Sequence, residues 1–533
     1  MSAPQRRIAI YDTTLRDGAQ AEGVTFSLAD KVAIAQRLDE FGVDYIEGGY
    51  PMSNPKDAAF FEEVRKRPLR HARVVAFGNT RRARTAAERD PGLRTLLGAG
   101  TQVVAIVGKS WDLHVTDVLR VPLEENLAMI RESVAFLKAD GRTVFFDAEH
   151  FFDGFLRRRD YALACIRAAV DAGADAIVLC DTNGGSLTEQ VRAGVRAARP
   201  LVPVELGIHT HNDAGLAVAN ALAAVEEGAT QVQGTINGIG ERCGNADLCV
   251  VIPDLALKMR CSVLVPGAMQ HITHVSRYVY QVANLNPPPR QPYVGASAFA
   301  HKGGLHVDGI QKNVLTYEHV DPAAVGNERR ILISELSGTA AVAAKARKLD
   351  ERIDRATSRL ILDAVRKLES EGYEFEAAEA SFQLLVRKAL GTHRRFFDLQ
   401  GFRVIVEKRG GDRAPISEAT VKLKVKGKSR LTVGEGDGPV HALDVALRAA
   451  LEDSYPVLKQ VRLVDYKVRI VNPRAATAAR TCVVIESTDG SDVWGTVGVS
   501  DNIIEASWQA LVDSIEYALL REEEKAGPVT REP

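Results

Sequence analysis

The run Ala172-Gly173-Ala174-Asp175-Ala176-Ile177-Val178-Leu179-Cys180-Asp181-Thr182-Asn183 decides the fold, because three signals follow one another within it. Gly173 stands where an amphipathic helical pattern should stop, and glycine there supplies a left-handed C-cap. Ala176–Cys180 is a short apolar run of the kind a buried parallel strand requires. Polar residues then close it. The same phrase recurs as Phe41-Gly42-Val43-Asp44 and as Glu227-Gly228-Ala229-Thr230, each ahead of another strand-like run. Working outward, strands are expected at Ile8–Tyr11, Tyr45–Gly48, Arg73–Phe77, Gln102–Val107, Thr143–Glu149, Ala176–Cys180, Val204–His211 and Gln231–Ile236. Between them apolar residues return every three or four positions, as in Leu28, Val32, Ala35, Leu38 and Phe41. Eight such β-α units predict a TIM (β/α)8 barrel. A dinucleotide-binding fold is disfavoured, since no G-x-G-x-x-G opens a helix after the first strand.

The polar motifs share one address under this reading. Arg16 and Asp17 follow strand one, Glu47 ends strand two, and Asp147 and Glu149 end strand five. Thr182 follows strand six, His209 and His211 end strand seven, and a glycine-dense loop, Asn237-Gly238-Ile239-Gly240-Glu241-Arg242-Cys243-Gly244-Asn245, follows strand eight. Barrel active sites are built at these carboxyl ends. His209 and His211 at i and i+2 on extended backbone point the same way, and with Asp17 they could grip a divalent ion while leaving coordination positions open. Arg16 could stabilise a developing oxyanion or form a mouth salt bridge to Glu47. Asp147 and Glu149 could serve acid–base chemistry or hold arginines. Thr182 could bind a carboxylate or act as a cap. From composition the glycine loop reads as an ordinary turn.

Composition excludes several classes. With 46% apolar and 26% charged residues and a formal net charge of -1, the 533-residue chain is an ordinary globular protein with no electrostatic reason to bind nucleic acid or an anionic membrane. No apolar run reaches the ~20 residues of a bilayer span. The six cysteines form no C-x-x-C pair and read as reduced thiols. Met1 to Arg7 leads straight into a strand with no secretory apolar region, so the cytoplasm is the expected location.

Beyond the barrel, expected to span 1–270, Asn286-Pro287-Pro288-Pro289-Arg290-Gln291-Pro292 reads as a stiff connector. A region at 271–392 carries His301-Lys302-Gly303-Gly304-Leu305-His306, then Tyr317, then helical periodicity over roughly 339–371. His306 is neighboured by glycines and could carry a proton if this region covers the barrel mouth. From 393 to 522 the chain repeats itself: Val433, Gly434, Asp437, Ala442, Ala446 and Leu447 return at an offset of 64 residues as Val497, Gly498, Asp501, Ala506, Ala510 and Leu511. Two strand–strand–helix units are expected, forming a pseudo-symmetric dimerisation module.

In Tyr11-Asp12-Thr13-Thr14-Leu15-Arg16-Asp17-Gly18, His209-Thr210-His211-Asn212-Asp213 and the Asn237–Asn245 loop, the chain resembles the acyl-CoA-condensing metalloenzymes that include 2-isopropylmalate, homocitrate and citramalate synthases. The phrases Asp17-Gly18-Ala19-Gln20-Ala21-Glu22-Gly23 and Gly48-Gly49-Tyr50-Pro51 look most like the citramalate synthase branch. The resemblance implies a Claisen condensation of acetyl-CoA with pyruvate to citramalate, on a route to isoleucine. Metal ligands would be Asp17, His209, His211 and Asn245, holding Mg2+, Mn2+ or Zn2+. Arg16, Thr182, Asp147 and Glu47 would bind the keto acid, Asp147 standing where some members have an aromatic residue. Glu149, His306 and Tyr317 would fall on proton-transfer positions. A homodimer with isoleucine as effector of the C-terminal module is also implied. The competing readings are 2-oxoisovalerate as acceptor, a barrel-type hydroxyacyl-CoA lyase or aldolase, and a non-enzymatic metal scaffold.

Overall fold

The computed structural model describes residues 5–332, 353–408, 410, 414–471 and 479–526. These fall into two compact units, one of residues 1–299 with 320–329, the other of 300–319 with 330–533. The first unit is a closed eight-stranded parallel barrel, in sequence order around the ring. Its strands are β1 (Ala9–Asp12), β2 (Tyr45–Gly49), β3 (Arg73–Asn79), β4 (Val103–Lys109), β5 (Thr143–Glu149), β6 (Ala176–Asp181), β7 (Glu205–Thr210) and β8 (Gln231–Gly234). All eight expected strands are present, with ends shifted by at most two residues.

Local chemistry sets the β-α repeats. Helix α1 (Leu28–Phe41) starts at Ser27, whose hydroxyl accepts from Asp30 N–H while the Asp30 carboxylate accepts from Ser27 N–H, a reciprocal cap. It ends at Gly42, and Gly42, Gly173 and Gly228 all take the positive φ that a left-handed helix stop requires, at 88°, 93° and 114°. Helix α2 (Pro55–Lys66) is capped by Asn54 and has proline in its first turn, where a missing N–H costs nothing.

Strand alternation builds the interior in layers. Tyr11, Val75, Val103, Ala105, Phe145 and Ala176 pack together inside the ring as an apolar plug. Two residues further along the same faces come polar groups: Asp147 after Phe145, and Gln233 after Gln231, all buried. Two further still, Glu149 and His211 reach the rim. The sheet's outer face packs against its helices through a far larger apolar shell that includes Ile46, Ile106, Phe146, Phe152 and Ile208.

In the second unit the expected repeat is present, but each copy has three strands, not two. β9 (Phe397–Glu407), β10 (Ile416–Val425) and β11 (Lys428–Gly436) form one antiparallel sheet, and β12 (Arg462–Ile470), β13 (Thr481–Thr488) and β14 (Val493–Ser500) form the other. A helix follows each, Pro439–Leu451 and Ile503–Ala526. The first strand of each copy, β9 and β12, is largely solvent-facing, so its apolar alternation is weak. The expected helix over 339–371 is described only at Arg355–Ser370; residues 339–352 lie outside the described residues.

The repeated glycines have a shared cause. A Cβ on Gly434 would lie 2.6 Å from Ala446 N, and one on Gly498 would lie 2.1 Å from Ala506 O, so each glycine lets its helix lie on the strand. Thr432 and Thr496, also 64 residues apart, then donate to the carbonyls of Ala446 and Ala510 at 2.7 and 2.8 Å. Replacing Gly498 by alanine should therefore lower the stability of this unit by about 1–3 kcal/mol, the usual cost of overpacking. Urea unfolding measures it; an unchanged midpoint would contradict the packing argument.

Candidate metal centre at the barrel mouth

Folding gathers the predicted ligands from 228 residues of separation into one buried cluster at the carboxyl rim. His209 is the penultimate residue of β7 and His211 directly follows the strand, so the two rings share a side as extended backbone requires. Their Nε2 atoms are 3.3 Å apart, and the Asp17 Oδ2 oxygen lies 3.6 Å from one and 3.8 Å from the other. Ligands about 2.1 Å from one ion would be separated by about 3.0–3.4 Å, so small rotations would close the set on a cation. Asn245 lies against this set. Its Nδ2 donates to Asp17 Oδ1 at 3.0 Å, while its Oδ1 is buried with no hydrogen-bond partner. A carbonyl oxygen orphaned beside two imidazoles and a carboxylate is the donor set a divalent ion takes.

The glycine-dense loop exists to seat Asn245. A Cβ on Gly240 would meet Asn245 Nδ2 at 2.2 Å, and one on Gly244 would meet Gly238 O at 2.0 Å. His211 forms an isolated bridge with Asn245, tying the loop to β7. Arg242 fastens the loop from the other side, donating from Nε to Asp213 Oδ1 at 2.8 Å and from Nη2 to Thr182 O at 2.9 Å.

Arg16 makes the salt bridge to Glu47 that its position allowed. It donates to Glu47 Oε2 at 2.5 Å and to Asp17 Oδ2 at 3.0 Å, and its guanidinium lies 4.1 Å from the centre of the Phe77 ring. Glu47 is itself fully buried and accepts from Tyr11 OH at 2.7 Å. The salt bridge thus fixes an arginine whose guanidinium lines the cavity. Glu149 pairs with Lys109, the last residue of β4. Thr182 Oγ1 accepts from His150 N–H at 2.9 Å, just ahead of the helix Phe151–Asp171, and Thr182 also lines the cavity.

These side chains surround a cavity of about 280 Å³ lined by Arg16, Asp17, Phe77, Asp147, Thr182 and His211 among others. His306 and Tyr317 belong to the second unit, where their rings stack with centroids 4.0 Å apart. Gly309 makes room for that stack, since a Cβ there would meet Tyr317 Cε2 at 2.6 Å. Sequence reasoning passed over Lys109, Phe77, Arg242 and Gln233. Lys109 and Gln233 were findable, because they continue the inward alternation of β4 and β8.

Burial shapes the electrostatics. It pushes His209 down to about 4 and His211 below its usual value, so both imidazoles are neutral and ready to ligate near neutral pH. Burial opposes charge on Asp17, but Arg16 and the two histidines outweigh it and hold the carboxyl well below its ordinary range. Asp147 goes the other way. Burial, reinforced by Glu47, raises it to about 8, and its Oδ1 has no partner.

An acid raised on folding binds its proton more tightly in the native state. Its stabilising effect is complete below the unfolded value near 3.8 and is lost as pH climbs towards 8. Thermal melts of chelator-treated protein should therefore fall between pH 6.5 and 8, above the range in which the histidines contribute. Asp147→Asn should flatten that slope. Equal slopes in both proteins would contradict a protonated Asp147.

Residues 7–279 match the HMGL-like family, 293–373 the homocitrate synthase post-HMGL domain-like family, and 376–519 the LeuA allosteric (dimerisation) domain. The (R)-citramalate synthase of Geobacter sulfurreducens is 53% identical over 98% of this chain and 99% of its own. That of Aquifex aeolicus is 50% identical over 97% and 99%. The 2-isopropylmalate synthase of Methanocaldococcus jannaschii is 30% identical over 97% and 96%. The chain belongs to the HMGL-like family, in the branch of barrel enzymes that carry a LeuA-type dimerisation domain.

Proposed function

We propose that the protein is an (R)-citramalate synthase, condensing acetyl-CoA with pyruvate and water to give (R)-citramalate and CoA. The observation that carries this reading is the 45–53% identity, along nearly the whole chain, to five (R)-citramalate synthases. Identity to 2-isopropylmalate synthases is 30–32%, which favours pyruvate over 2-oxoisovalerate as acceptor. The three domain matches disfavour a lyase or a bare metal scaffold, since a dimerisation module follows the barrel.

Asp17, His209, His211 and Asn245 would hold the divalent ion, Mg2+, Mn2+ or Zn2+. Bound there, it would polarise the ketone of the acceptor and carry part of its developing charge. Arg16, immobilised by Glu47 and Phe77, adds a fixed positive charge where the ketone oxygen becomes an alkoxide. Thr182 keeps a hydroxyl hydrogen for the acceptor carboxylate. Asp147, neutral up to about pH 8, lines the cavity without adding negative charge against an anionic substrate. Proton transfer we assign to Glu149, His306 and Tyr317, on the resemblance of their motifs. A methyl proton leaves the acetyl group, the carbanion adds to the keto carbon, and water cleaves the thioester to release CoA.

Following CoA thiol release with pyruvate, 2-oxobutyrate and 2-oxoisovalerate in parallel tests the acceptor. Pyruvate should give the highest kcat/KM, and preference for 2-oxoisovalerate would contradict the reading. Asp17→Ala and His211→Ala should each lose more than about 100-fold in turnover with the fold intact, as removal of a ligand outweighs removal of its support. Near-normal turnover in the presence of a chelator would overturn the metal's role.

The assembly is a proposed homodimer through residues 393–522, on the strength of the dimerisation-domain match. The parts at 1–270 and 271–392 we assign to catalysis and to connection. We take isoleucine as effector of the C-terminal module, and the cytoplasm as location, consistent with no helix among the described residues being long and apolar enough to cross a membrane. Initial rates of the full chain with pyruvate should fall on adding isoleucine and not on adding leucine. Indifference to isoleucine would remove the effector assignment.

A further inference from the structure

One buried side chain outside the cavity lining contacts both a candidate ligand histidine and the cavity-lining Asp147. Gln233 lies on β8 directly across the sheet from His209 and is 1% exposed. Its Oε1 lies 3.0 Å from His209 Nδ1. Its Nε2 points the other way, 3.4 Å from Gln231 Oε1, and Gln233 is also hydrogen-bonded to Asp147. In this setting the NH2 of Gln233 serves Gln231 and Asp147 and leaves Oε1 as the atom offered to His209. With Oε1 towards the ring, His209 must carry its proton on Nδ1 to make the hydrogen bond. The lone pair is then left on Nε2, the atom that faces His211 and Asp17.

His211 has no such support, since its Nδ1 is buried without a partner. Among the described residues, Gln233 is thus the group that fixes a ligand tautomer in this centre. Strand alternation explains its place: Gln231 and Gln233 follow one another along the inner face of β8, with Gln233 paired in register with Tyr11 of the apolar plug.

We propose that Gln233 is a positioning residue for the metal centre, locking His209 in the Nδ1–H form and orienting its Nε2 for coordination, with Gln231 and Asp147 holding the amide the right way round. The proposal rests on the reading of Asp17, His209 and His211 as metal ligands. Partners of this kind raise ligand basicity and fix ring orientation, and their loss typically weakens metal binding about 10–100-fold.

The test is the affinity of the full chain for Mn2+ by calorimetry, for wild type, Gln233→Met, Gln233→Glu and Asp17→Ala, with metal-free circular-dichroism melts to verify folding. Methionine keeps the volume and removes the acceptor; glutamate keeps an acceptor for the Nδ1 proton. Gln233→Met should bind Mn2+ about 10–100-fold more weakly, and Gln233→Glu should stay within about threefold of wild type. Gln233→Met binding like wild type overturns the proposal. So does equal loss in a folded Gln233→Glu, because the role would then be filling space and not accepting a hydrogen bond. That second arm decides the matter alone if the methionine variant does not fold. Failure of the underlying reading looks different: wild type and Asp17→Ala would then be alike in taking up no Mn2+.

Discussion

His209 and His211 face one another through ring nitrogens 3.3 Å apart, with a carboxylate oxygen of Asp17 within 3.8 Å of both. Each is buried, and burial keeps the imidazoles neutral. Two neutral imidazole nitrogens and an anionic oxygen are thus held within reach of a single cation, in a buried setting where unbalanced charge is costly. The rest of the mouth follows from meeting that constraint. Asn245 ties Asp17 in place and leaves a carbonyl oxygen facing the cluster, which is why the loop after β8 needs glycine at 240 and 244. Arg16 balances Asp17 from the outside, and Glu47 balances Arg16.

Such a mouth holds more acid than base before an ion enters: Asp17, Glu47 and Asp147 against Arg16. Keeping Asp147 protonated removes one negative charge, and a divalent ion converts the remainder into a site that attracts a monoanionic keto acid. The arrangement is built on rigid strand ends with interlocked side chains, and preorganised charge of this sort needs no rearrangement when an oxyanion forms. The apolar plug of Tyr11, Phe145 and their neighbours closes the barrel beneath, so the polar layer opens only towards the rim.

Much of this was legible in the chain. The eight strands announced themselves as apolar runs bounded by helix-stopping glycines and polar ends, because strand burial and capping are local physics. Asp17, His209 and His211, which folding brings together, were legible for the same reason, each lying near or just beyond the carboxyl end of a strand. What escaped depended on pairings between distant elements. Lys109 was missed because the reading of β4 stopped two residues early at Val107, before its charge could be set against Glu149. Gln233 looked like one polar residue in a strand until the register of β7 and β8 placed it beside His209. The first strand of each C-terminal repeat was hidden by its exposure, and the state of Asp147 by the burial that only folding creates. Asn245 was named by the motif's resemblance alone; composition gave no hint of the close backbone packing that seats it.

The central claim is a cation gripped by Asp17, His209, His211 and Asn245. Crystals of the protein grown with Mn2+, measured at the manganese absorption edge, test it most directly. An anomalous peak within about 2.0–2.4 Å of the Asp17 carboxylate, both Nε2 atoms and the Asn245 Oδ1 is the expected result. Absence of that peak at full Mn2+ loading, or a peak elsewhere with the two imidazoles joined through a proton, would contradict the account.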